Sequence, residues 1–391
     1  MIVVGIDVAK NKHDCVILNG DGAVLQKSFS VDNSLDGFNF LLEKIKSFES
    51  DYSKVKVGLE ACGHYGYNLT GWLLENGFEP IVLNPLLINK FRNLSLRKTK
   101  TDKIDALSIA NILLSNIDLK SYTDISYHNT EFKSLARYRF RQANIRAKYR
   151  ISVSRLVTIL FPELHKLVSD IHSDCIYALF SEFPGASYVA NANLRKLTSL
   201  VEKASGGRRS KDFAVNIRDA ARNSIASAFP ASSFELRGTI KLIAALDEEI
   251  KEIDSKLDEF LKQYDSPILS IKGIGPVTAS LLLAEIGDFK RFSSPDKLLA
   301  YAGLTPSIYQ SGQTAPVFGH MVKRGSKFLR YALFTAAANV CMYDPVFKAY
   351  LQKKLSEHKH YYVAISHAAK KLVRVMFALE KSRQPYIPRT V

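Results

Sequence analysis

Met1-Ile-Val-Val-Gly-Ile-Asp-Val8 is a short apolar run, rich in β-branched residues, with an acid near its end. A run of this length and composition predicts a buried strand. Residues 13–18 and 23–30 read as two more strands, separated by Asn19-Gly20-Asp21-Gly22, whose residue types supply the positive φ angles of a tight hairpin. Residues 33–48 carry Leu35, Phe38, Leu41, Leu42 and Ile45 at helical spacing, and 54–60 (KVKVGLE) is another strand ending in an acid. Residues 67–75 predict a helix closed by Gly77, and 79–83 (EPIVL) a fifth strand. Three meandering strands followed by helix, strand, helix and strand describe an α/β domain with a mixed sheet, of the ribonuclease-H/RuvC type.

On that topology the acids fall where metal chemistry needs them. Asp7 ends the central first strand, and Glu60 ends the strand that lies beside it in such sheets. Next comes Lys98-Thr-Lys-Thr-Asp-Lys-Ile-Asp-Ala106. Thr101 is placed as an N-cap, and Ile104, Leu107, Ile109, Ile112 and Leu113 give helical spacing over 102–115. Asp102 and Asp105, at i and i+3, then share one face of the first turn. Acids there also complement the helix dipole, so the pair acquires chemical meaning only with Asp7 and Glu60 beside it. Arg97, Lys98, Lys100 and Lys103 surround it, which suits a site where acids meet a polyanion. Converging carboxylates repel one another unless divalent cations are bound. Oxygen-only ligands favour Mg²⁺ or Mn²⁺ over zinc. Two such ions can activate a nucleophile and steady a leaving oxygen at a phosphate.

The bulk composition agrees with that chemistry. Lys and Arg number 54 against 38 Asp and Glu, a net charge of +16, which favours nucleic acid ahead of an anionic membrane and is needless for a small substrate. Cys15, Cys62, Cys175 and Cys341 show no CxxC spacing, so neither a zinc knuckle nor a disulfide framework is legible and a reducing, cytoplasmic location is expected. The N-terminus runs into a strand rather than a signal peptide, and no apolar run approaches the ~18 residues of a membrane span.

At 391 residues the chain calls for more than one domain, divided here as 1–125, 126–265 and 266–391. Between 132 and 160 a helical run carries Lys133, Arg137, Arg139, Arg141, Arg146, Lys148, Arg150 and Arg155, no acids, and interleaved Tyr138, Phe140 and Tyr149. A helix of one charge sign predicts contact with a nucleic-acid backbone. Residues 161–235 hold amphipathic helices, with Gly-Gly-Arg-Arg at 206–209 as an exposed connection. Over 234–264 Ile243, Leu246, Ile250, Ile253, Leu257, Phe260 and Tyr264 recur at spacings of three and four, a short coiled coil for which pairing between subunits is favoured over pairing within the chain. Lys272-Gly273-Ile-Gly275 between helical stretches is a helix-hairpin-helix pattern, which exposes backbone N–H groups to phosphate. Ser311 lies in a polar loop ahead of the basic Lys323-Arg324, and no Ser-His-Asp spacing accompanies it, so local sequence reads it as a loop serine.

Assembled, these pieces resemble the DEDD transposases of the pilin-gene-invertase (Piv/MooV) family, insertion-sequence recombinases of which many are guided by a bridge RNA. The likeness covers almost the whole chain. It rests on GIDVAK around Asp7, GLEACGHYG around Glu60 and KTDKIDA with Asp102 and Asp105, then IKGIGPVTASLLLAEIGD, FSSPDKLLAYAGLTP, QSGQ and KRGSKFLR. The resemblance implies that Asp7, Glu60, Asp102 and Asp105 bind Mg²⁺. It implies that Ser311 attacks DNA to form a covalent phosphoserine intermediate. It also implies a composite site in a dimer or tetramer acting on donor and target DNA with a guide RNA. Gln313-Thr-Ala-Pro316 departs from the family's Gly- and basic-rich stretch, which puts that loop's DNA contacts in doubt. Three other functions fit parts of the chain: a Holliday-junction-type nuclease using activated water, an actin-like sugar kinase, and a non-catalytic nucleic-acid-binding protein.

Overall fold

The computed structural model forms two compact units, residues 1–131 and 132–391. It describes the chain except residues 62, 84, 93–101, 116–118, 120–123, 310–316 and 389–391, and omits the side chains of 86, 90, 92, 102–104, 124–128, 308–309 and 317–318. Arg97, Lys98, Lys100, the N-cap expected at Thr101, and Ser311 therefore lie outside the described residues, as does the side chain of Asp102.

In the first unit, β1 (Ile2–Val8), β2 (Lys12–Asn19), β3 (Val24–Asp32), β4 (Val55–Glu60) and β5 (Ile81–Leu83) form a sheet of order β3-β2-β1-β4-β5. β1 is antiparallel to β2 and parallel to β4, so the sheet is mixed as expected. The helices are α1 (Leu35–Lys46), α2 (Tyr67–Glu75), α3 (Pro85–Arg92) and α4 (Asp102–Leu114). Ser34 caps α1 by accepting the Gly37 N–H at 3.2 Å. Alternation along β1 divides the core in two. Ile2, Val4, Ile6 and Val8 pack with Phe38, Leu41 and Ile45 of α1 and Leu69 and Leu73 of α2, while Val3 meets Ala106, Ala110 and Leu113 of α4 on the other face.

Two glycines set the distance of α4. A Cβ on Gly5 would overlap the Ala106 carbonyl oxygen and lie 2.7 Å from the Ala110 nitrogen, and one on Gly58 would lie 2.6 Å from Leu113. The helix backbone thus rests directly on β1. Further along, Leu114 approaches Gly22 of the hairpin, so α4 runs antiparallel to β1, its start at the end where Asp7 lies.

The second unit is helical apart from one hairpin. Its elements are α5 (Asp124–Leu160, which begins before the division), α6 (Leu164–Leu167), α7 (Asp174–Glu182), α8 (Ala186–Ala190), α9 (Leu194–Ala204), α10 (Lys211–Arg222), α11 (Pro230–Gln263), α12 (Pro276–Ile286), α13 (Pro295–Ala302), β6 (Pro306–Tyr309), β7 (Val317–Met321), α14 (Lys327–Tyr343), α15 (Pro345–Ser356) and α16 (Tyr361–Ser382). Residues of α6–α10 share one core with the far end of α5 and the start of α11, and α12–α16 share another with the near end of α5 and the end of α11.

The heptad seam, for which the sequence favours pairing between subunits, packs on α5 of the same chain. Ile243 packs in the core shared with Val153 and Leu156 of α5, and Ile253 and Leu257 in the core shared with Phe132. The Phe132 ring lies 5.2 Å from that of Phe260 and 5.3 Å from that of Tyr264. Arg139 pairs with Asp254 at 2.9 Å, Arg146 with Asp247 at 2.5 Å and Arg155 with Glu235 at 2.6 Å, so the two helices run antiparallel. The small helices α6–α10 turn the chain back at the far end and make that pairing local. No helix among the described residues is long and apolar enough to cross a membrane.

A candidate active site on the sheet edge

The register of the sheet gathers acids in one row. Ile6 is level with Leu59 across the parallel β1–β4 pair, which sets Asp7 beside Glu60 at the C-terminal ends of both strands. Both face α4: Asp7 follows Gly5 by two residues and Glu60 follows Gly58 by two, and both glycines lie under that helix. Asp105, 8% exposed, precedes the Ala106 whose carbonyl rests on Gly5. Asp102 opens the same helix. The fold therefore brings Asp7, Glu60 and the start of α4 to one edge.

The row holds one acid more than the sequence pattern suggested. Asp14 is the direct cross-strand partner of Asp7, is 8% exposed, and shares its face of β2 with Val16 and Leu18. Its Oδ1 accepts a hydrogen bond from Ser30 Oγ at 2.7 Å, and Ser30 is its neighbour on β3. Counting back equally from the 9–11 connection between β1 and β2, where Val8 stands opposite His13, would have found the Asp7–Asp14 pairing. Cys15 lies on the opposite face, where burial, then the charges of Asp14 and Asp7, push its thiol far above the ordinary range. His13, buried beside the Phe38 ring at 6.0 Å, has its imidazole held below the ordinary range, chiefly by burial.

Oxygen donors of this kind suit a hard divalent cation. Cross-strand like charges destabilise one another, so Asp7 opposite Asp14 with Glu60 alongside favours a bound counter-charge. Among the described residues no three His, Cys, Asp or Glu are close enough to hold an ion; the side chain of Asp102 is not among them.

In the second unit the expected nucleic-acid contacts divide into two sets. Arg137 forms a fork on the fully buried Glu285, with Nε to Oε1 at 2.5 Å and Nη2 to Oε2 at 3.0 Å, and stacks on Phe328 at 4.6 Å. Lys133 lies 3.8 Å from the same carboxylate, and Ser326 Oγ donates to it at 2.6 Å. Together with the α11 pairs, these contacts neutralise much of a helix that had read as one-signed. Its acids lay 80 or more residues away, beyond the reach of a local pattern. Glu285 itself was signalled by being an acid inside the apolar run LLLAEI. Arg141 and Lys148 are exposed, as are Lys272, Gly275, Lys323 and Arg324.

The glycine motif differs in part from its expected form. A 3₁₀ turn, Pro267–Ser270, precedes it where a first helix was expected. Gly273 has φ +100° and no room for a Cβ against Val340, which gives it a packing role. Gly275 caps α12 with no side-chain acceptor, leaving early N–H groups of that helix without one. β6 and β7 flank residues 310–316, and Ser307, exposed on β6, donates to His320 O at 3.1 Å.

Comparison with known proteins adds identity to this geometry. Residues 4–162 match the family model described as the IS110-type DEDD transposase, and 265–352 match that of the IS116/IS110/IS902 transposase family. The pilin gene-inverting protein of Moraxella bovis is 25% identical over 391 residues, covering 99% of this chain and 98% of that one. An insertion element IS110 protein of Streptomyces coelicolor is 29% identical over 140 residues, 35% of this chain and 34% of its own length. The chain therefore spans about a third of that relative. The IS1328 transposase of Yersinia enterocolitica is 38% identical over 94 residues, 24% of this chain and 28% of its own length.

Proposed function

Because the chain belongs to the IS110 family of DEDD transposases, we propose that it is a DNA recombinase that cleaves and exchanges strands through a serine ester. The supporting observation is the row in which Asp7 and Glu60 stand side by side beneath the start of α4. Asp7, Glu60, Asp102 and Asp105 would hold Mg²⁺, or Mn²⁺ in its place. Bound there, the metal supplies positive charge to the scissile phosphate and its leaving oxygen.

Ser311 is the proposed nucleophile. Its Oγ gives up a proton and bonds to phosphorus, while the bond from phosphorus to a deoxyribose oxygen breaks and that oxygen takes a proton. The serine ester conserves the energy of the broken linkage, so a second strand's hydroxyl can reverse the step without ATP. Arg141 and Lys148, with Arg97, Lys98 and Lys100, would hold the nucleic-acid backbone. Lys272, Gly273, Gly275, Lys323 and Arg324 would grip it near Ser311, with Gly275 lending the N–H groups of α12. Arg137 would contribute through Glu285 and not directly. The substrates are donor and target DNA, a guide RNA selects the site, and two or four copies assemble on it.

The test is a denaturing-gel assay for protein–DNA adducts with Mg²⁺ and RNA from the flanks of the element. Wild type should form an adduct that Ser311→Ala lacks. Asp105→Asn should lose cleavage by more than ~100-fold, beyond the usual cost of losing an outer-shell partner, with DNA binding retained. An adduct that survives Ser311→Ala moves the nucleophile elsewhere. Cleavage by both variants without any adduct would favour a nuclease that uses activated water.

A further inference from the structure

The edge row contains an acid outside the four just assigned, and its placement is specific. Asp14 faces Asp7 directly across β1–β2, on the face covered by α4. It is 8% exposed, and the Ser30 hydroxyl holds one of its oxygens at 2.7 Å. Among the described residues it forms no ion pair, whereas Glu285, fully removed from water, has a guanidinium, an ammonium and a hydroxyl. A carboxylate buried directly opposite another, without a cation of its own, is a costly arrangement for a purely structural role.

We propose that Asp14 is a positioning residue for the divalent cation at the edge row. This rests on the assignment of Asp7 as a ligand. Mg²⁺ keeps several of its waters in protein sites, and those waters must donate to fixed acceptors. With Oδ1 held by Ser30, Oδ2 of Asp14 is its remaining acceptor, on the residue directly across the strands from Asp7. Asp14 thus acts through the ion's water shell and lends negative charge without bonding the ion. Ser30 fixes its rotamer in the way that outer partners orient ligands at other metal sites.

The experiment uses the full chain and reads metal binding, not recombination. Mn²⁺ affinity is measured from the spin-resonance signal of the free ion for wild type, Asp7→Asn, Asp14→Asn and Ser30→Ala, and melting is recorded with and without Mg²⁺. Asp7→Asn should abolish Mn²⁺ binding, and Asp14→Asn should weaken it about 10- to 100-fold. Without metal, Asp14→Asn should melt no lower than wild type, because repulsion from Asp7 is relieved, and its rise in melting temperature on adding Mg²⁺ should be smaller. Ser30→Ala should weaken Mn²⁺ binding in the same direction. Wild-type affinity in Asp14→Asn would overturn the proposal. So would a metal-free loss of stability matching that of Ser30→Ala, because Asp14 would then merely latch β3 to β2. If Asp14→Asn binds normally but Asp7→Asn does not, the positioning role alone fails; if both bind normally, the metal assignment fails with it.

Discussion

Glu285 in the second unit lies among Arg137, Lys133 and Ser326, whereas Asp14 and Glu60 in the first form no ion pair among the described residues. The same contrast separates Asp254, Asp247 and Glu235 of α11, each held by an arginine of α5, from Asp14 and Glu60. An acid that meets cations of its own chain joins helices and is a stability element. An acid set beside other acids adds little to stability in the absence of metal and remains available to a ligand. Removing acids of the two kinds should therefore have opposite consequences.

The largest effect is expected at Glu285. Glu285→Ala removes the buried carboxylate shared by Arg137, Lys133 and Ser326 and should cost about 3–5 kcal/mol in urea unfolding, with Mn²⁺ binding by the folded fraction unchanged. Gly5→Ala comes next, because the new methyl group must push α4 off β1. About 1–3 kcal/mol is expected, together with weaker Mn²⁺ binding as the two halves of the acid row separate. A loss of stability with unaltered metal affinity would show that the row does not depend on α4.

Acid sensitivity follows. Burial holds His13 below the ordinary histidine value near 6.5, so the unfolded chain takes up this proton at a higher pH than the folded one. The stability His13 contributes is complete above about pH 6.5 and is lost as pH falls from there through the depressed value. His172 and His367 are lowered in the same sense, again chiefly by burial. His13→Asn should flatten part of the decline in melting temperature between pH 7 and 5; an unchanged slope would assign the decline to the other two. The smallest change in stability is expected for Glu60→Gln, within about 0.5 kcal/mol of wild type without metal, while Mn²⁺ binding is lost. A fall as large as that of Glu285→Ala would abolish the distinction between the two kinds of acid.

Much of the first unit was legible because its signals are local. The hairpin residues 19–22, the alternation of β1 and the helical spacing after Asp102 each fix a nearby element, and the observed sheet follows from them. Asp7, Glu60 and Asp105 could be placed from strand and helix ends alone. Asp14 was missed because its significance lies in register, a relation between two strands and not a property of either. The helical unit was less legible for a related reason. A heptad seam shows which face is apolar but not which helix covers it, so α11 suited a second subunit as well as α5. The charge of α5 was misleading because Glu285 lies 148 residues from Arg137, and residues paired in space carry no mark of it in sequence.

The α5–α11 pair has a mechanical corollary. At 37 residues α5 is about 55 Å long, and the two cores it joins are packed toward its opposite ends. Helices locked by alternating rings and ion pairs resist bending, so the separation of those cores is counted in whole turns. One added heptad in each helix would lengthen the spacer by about 10 Å without disturbing its seam. Whatever the outer bundle grasps would then be displaced by that increment, as along the graduations of a ruler.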